Sequence, residues 1–119
     1  MTISRIHIAF GTVALLLAGC GAAVVPSDRI ASAEAAIRAA REGGANGTPN
    51  AALHLHYAEL AKVEAQRLAT DGDGAGAAMQ FRRAEADANL ALALTREATA
   101  QRAAQGATDT LRAGEVSPR

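Results

Sequence analysis

Few side chains in this 119-residue chain could do chemistry, and they are widely spaced. Cys20 is the one cysteine, and it closes the run Leu15-Leu16-Leu17-Ala18-Gly19-Cys20. A lone thiol excludes any disulfide framework within the chain. His54 and His56 are candidate metal ligands, but residues two apart on a helix point to different sides. The HExxH spacing is absent, because Glu59 lies five residues after His54. Asp71, Asp73 and Gly76 imitate the first, third and sixth positions of a calcium loop. The fifth position is Ala75 and the twelfth is Arg82, where a bidentate glutamate is needed, so the run reads as a polar turn. Ser27, Ser32 and Ser117 sit in no GxSxG motif. Glu85 and Asp87 do not converge on a helix and read as a charged face with Arg82 and Arg83.

The surroundings of Cys20 are more informative. Met1 to His7 is a short polar head carrying Arg5, and Ile8 to Leu17 is apolar. Ten apolar residues are too few to cross about 30 Å of hydrocarbon as a helix. A positive head, a short apolar middle and small residues behind it describe a secretory signal peptide. Leu17-Ala18-Gly19-Cys20 resembles the lipobox of bacterial lipoproteins at all four positions. The resemblance implies cleavage before Cys20 and acyl chains on its sulfur, which would tie the chain to a membrane. Two or more chains make such anchoring stable, at about 0.8 kcal/mol per buried methylene. Residue 21 is glycine rather than aspartate, which in a Gram-negative host implies the outer membrane, facing the periplasm.

Composition constrains the chain beyond the leader. Thirty-two residues are alanine. Alanine has the highest helix propensity and buries little area. The expectation is one helical domain with a thin core. Twelve Lys and Arg balance twelve Asp and Glu, so no basic face is expected and a nucleic-acid partner has no electrostatic support.

Periodicity places the elements. Residues 1–19 read as the leader, 20–27 as a lipidated tether, 28–105 as a helical domain and 106–119 as a flexible tail. Ser27 reads as the N-cap of a first helix whose stripe is Ile30, Ala33, Ile37 and Ala40, ending at Gly43-Gly44. Thr48-Pro49 fits an N-cap and first helical residue, opening a helix to about Thr70 with its stripe on Leu53, Tyr57, Leu60, Ala61, Glu64 and Leu68. A third helix starts between Ala75 and Ala78 and extends to Gln105, with Phe81, Ala84, Ala88, Leu92 and Thr95 inward and Leu90 and Leu94 to one side, widening the stripe. No strand pattern occurs. The expected fold is all-α: helices two and three as an antiparallel hairpin, helix one alongside. Coiled-coil self-association is open, but the heptads are too short and alanine-rich to specify an oligomer.

The stretches DRIASAEAAIRAAREGGA and YAELAKVEAQRLATDGDGAGAAMQFRRAEADANLALAL resemble the small bacterial envelope proteins grouped as domain of unknown function 4398. Tyr57-Ala58-Glu59-Leu60 and Ala84 to Ala91 carry the likeness, which covers about residues 28–100. Glu59 stands where the family usually has proline, and the first loop is longer. The family has no established activity, so the resemblance implies an architecture and an envelope location only. The functional expectation is a non-catalytic, membrane-tethered helical module with no cofactor, meeting an envelope protein or peptidoglycan. The alternative is a small periplasmic metal-binding protein or enzyme using His54, His56, Asp71 and Asp73.

Overall fold

The computed structural model describes residues 24–116. Among them are three α-helices and no strand: α1 Ser27–Glu42, α2 Pro49–Thr70 and α3 Gly74–Val116. Antiparallel α2 and α3 form the hairpin, and α1 lies alongside, chiefly against α3.

Local chemistry sets the helix ends. α1 stops where Gly44 takes the left-handed conformation (φ 89°) and its N–H turns back to the Arg41 carbonyl. A 3₁₀ turn, Ala45–Gly47, leads to Thr48, and Pro49 opens α2 as expected. The α2–α3 turn closes tightly because Gly72 (φ 84°) donates to Ala69 while the Asp73 N–H reaches the Leu68 carbonyl, the paired bonds of a Schellman motif.

Three boundaries differ from expectation. Ser27 is not a cap: it is the first helical residue, and Pro26 holds the cap position with no side-chain bond. α3 begins at Gly74 because Asp73 Oδ1 accepts from the Gly76 N–H at 2.8 Å, capping the helix earlier than the apolar pattern suggests. α3 also continues through the segment read as a tail. Gly106 costs about 1 kcal/mol against alanine, too little to break a run otherwise rich in helix formers. The Thr108 and Thr110 hydroxyls bond the carbonyls of Ala104 and Gly106 in the same helix. Residues 106–115 are nonetheless exposed throughout, as a helix with nothing packed on it.

The largest correction concerns α2. Its buried face is Ala51, Leu55, Ala58, Ala61 and Ala65, and of the expected stripe only Ala61 is fully buried. Leu53, Tyr57 and Leu60 are 46, 40 and 53 % exposed. The expected stripe contains Glu64, whose burial without a partner would carry a desolvation penalty. The observed face has no charged residue and leaves Glu64 in solvent with Arg67 at 2.7 Å. The core is consequently built on alanine. Ile37, Leu55 and Phe81 are its only large, fully enclosed side chains among the described residues, and eleven alanines fill the rest. Small seams let backbones approach closely, so packing here substitutes for bulk.

Candidate functional site

Leu17, Ala18, Gly19 and Cys20, with the whole leader 1–19, lie outside the described residues. The first described stretch, Val24 to Pro26, is non-helical, and Val25 already packs against the core. Residues 20–23 of the expected tether 20–27 lie outside the described residues.

The two histidines part company, as helical spacing requires. His56 is exposed, whereas His54 faces α3 and its Nδ1 lies 3.1 Å from Asp87 Oδ1. The Asp87 side chain is 19 % exposed, and Arg83 approaches its other oxygen at 3.8 Å. Tyr57 meets the His54 ring edge-on, with centroids 6.0 Å apart. The expected solvated face of Asp87 with Arg83 is thus only half the picture: Asp87 keeps that partner and adds one on α2.

Two further pairs bind helices together. Arg29 of α1 reaches Glu85 of α3 at 3.5 Å, and Arg41 of α1 reaches Glu59 of α2 at 2.6 Å. Glu85 and Asp87 thus diverge, one toward α1 and one toward α2. Both pairs are about a third to a half exposed, so each contributes little to stability and serves chiefly as a polar contact between helices.

Asp71 and Asp73, the other candidate ligands, have structural roles. Asp71 accepts from Arg67 at 2.6 Å, and Asp73 caps α3. Arg67 also donates two bonds to Glu64; these bonds and its charge hold the Glu64 carboxyl below its ordinary range, and Glu64 in turn raises the Arg67 guanidinium. No three His, Cys, Asp or Glu side chains gather where they could hold one metal ion among the described residues. Every fully buried side-chain polar atom among them has a partner, including Thr95, whose hydroxyl donates to the Ala91 carbonyl.

Several large apolar side chains nonetheless face outward, among them Leu53, Tyr57, Leu60 and Val63 of α2. Tyr57 and Leu60 border a shallow recess with Glu64, Gln80 and Arg83 on the side of the hairpin away from α1. Periodicity misses this face because it assigns the largest side chains of α2 to the core. No described helix is long and apolar enough to cross a membrane.

No protein-family model, curated protein or solved structure matches this chain. The likeness to domain of unknown function 4398 rests on the residues of the two helical stretches alone.

Proposed function

We propose that this chain is a lipid-anchored, non-catalytic module of the bacterial cell envelope, facing the periplasm from the outer membrane. One observation carries the reading: Leu17-Ala18-Gly19-Cys20 stands directly behind a basic head and a short apolar run. The acyl chains would sit on the Cys20 sulfur and supply attachment; no described helix is long and apolar enough to cross a membrane.

The fold suits such an anchor. Arg29 meets Glu85, and Gly43 lies beside Leu92, so α1 runs in the same sense as α3. The start of α1 therefore points to the α2–α3 turn, and the exposed end of α3 points the other way. With Val25 packed on the core, only residues 21–24 remain as spacer, reaching about 14 Å when extended. The turn end would lie near the bilayer, and the projecting end of α3 would reach into the periplasm toward an envelope protein or peptidoglycan. The candidate polar groups pair within or between helices or cap them, and no cluster of them converges on an open cleft, which favours presentation over catalysis.

The test is metabolic labelling. Cells producing the chain receive labelled palmitate. The wild type should incorporate label and fractionate with the outer membrane, and Cys20→Ala should abolish both. An unlabelled wild type would sink the proposal.

A further inference from the structure

One face of α3 has no partner along most of its length. Starting at Met79 and stepping alternately four and three residues, the helix presents an exposed position at each step to Leu111. This is the a/d spacing of a coiled coil, sustained for about 48 Å of helix. Every position is apolar except Arg83 and Glu97. Met79, Leu90 and Leu111 are 69, 42 and 72 % exposed. The stripe lies opposite the buried seam of Phe81, Ala84, Ala88 and Ala91, so neither α1 nor α2 covers it.

The two interrupting charges make the stripe complementary to a reversed copy of itself. Arg83 and Glu97 lie seven residues either side of Leu90 and have opposite signs. In a parallel pair, each heptad position meets its own copy, so Arg83 would face Arg83 and Glu97 would face Glu97. Like charges in that seam are strongly unfavourable. In an antiparallel pair, a positions lie opposite d positions. Setting Leu90 against Ala93 of a second copy places Arg83 within reach of Glu97, twice over by symmetry. The same register sets Met79 against Ala104 and brings the half-exposed Leu90 of each chain close to the two-fold axis.

We propose that this stripe is an isologous interface, on which α3 pairs antiparallel with α3 of a second copy and Arg83 and Glu97 select the orientation. Half of the stripe is alanine, so the pair is weak in dilute solution and gains from confinement on a surface. It requires no lipid, and so stands or falls separately from the anchor.

A photo-crosslinking amino acid at Ala104 of the full chain, in cells, tests this. Ala104 is exposed and lies beyond the hairpin, so the probe leaves the core intact. Residues 79 and 104 are about 37 Å apart along one helix, so a crosslink between them must join two chains. The expected product has twice the chain mass, with position 104 joined to the segment around Met79 and Arg83. Arg83→Glu should reduce it about tenfold, and Arg83→Glu with Glu97→Arg should restore it. A 104-to-104 product, meaning parallel chains, overturns the proposal. So does the absence of a two-chain product, or a yield indifferent to Arg83→Glu.

Discussion

Ala58→Leu should destabilise the chain more than Leu60→Ala, although the second removes a large apolar side chain and the first adds one. Ala58 has no exposed surface, in a seam where α2 lies directly on its neighbours. Leucine adds three carbons there with no cavity to receive them. Overpacking of this kind typically costs about 1–3 kcal/mol. The two residues have similar helix propensity, so almost none of that cost is intrinsic to the backbone. Leu60 is 53 % exposed. Full burial of a leucine is worth about 1.5–3 kcal/mol, so truncating a half-exposed one should cost about 1 kcal/mol or less. Urea unfolding of the full chain, followed by helical circular dichroism, measures both. At about 1 kcal/mol per molar urea, Ala58→Leu should lower the midpoint by about 1–3 M, and Leu60→Ala by at most about 1 M. The reverse ranking would refute the seam, since it would mean that α2 turns its Leu53, Tyr57 and Leu60 face inward.

The α2–α3 turn offers a second check. Asp73→Ala removes the cap of α3 and should cost about 0.5–2 kcal/mol in the same urea measurement, whereas Asp73→Asn should be nearly neutral because asparagine caps as well. Glu64 supplies a pH dependence. Arg67 holds the Glu64 carboxyl below its ordinary value in the folded chain, so the pair stabilises the fold above the ordinary carboxylate range and loses that contribution as pH falls through the folded value. Glu64→Gln should therefore be slightly less stable than the parent at neutral pH, and the gap should close in strong acid. A gap that widened on acidification would contradict the sign.

Punctuation residues make most helix ends legible in advance. Gly43-Gly44, Thr48-Pro49 and the turn around Gly72 act through their own backbone chemistry, which neighbours in sequence suffice to reveal. The inward face of α3 is largely legible too, because Phe81 marks it, but Leu90, expected to widen that face, lies exposed on the other side. α2 is not, because its seam is alanine and its leucines lie outside. A search for large apolar residues at helical spacing finds the exposed face of such a helix. The end of α3 is lost for a different reason: Gly106 resembles a stop, but it weakens a helix by less than its alanine-rich flanks sustain. At the candidate site, the separation of His54 from His56 follows from spacing alone. The pairs His54–Asp87, Arg29–Glu85 and Arg41–Glu59 do not, because each joins helices whose relative rotation is a tertiary outcome. The outward stripe of α3 also emerges only from the fold, since burial alone distinguishes a heptad face that is covered from one that is not.

The central functional claim rests on the chemistry at Cys20, and the mass of the mature amino terminus tests it most directly. Chain isolated from membranes and digested with trypsin should yield a first peptide running from Cys20 to Arg29, heavier by the mass of its acyl chains. A first peptide that begins elsewhere, or Cys20 recovered as an unmodified thiol, would contradict the account.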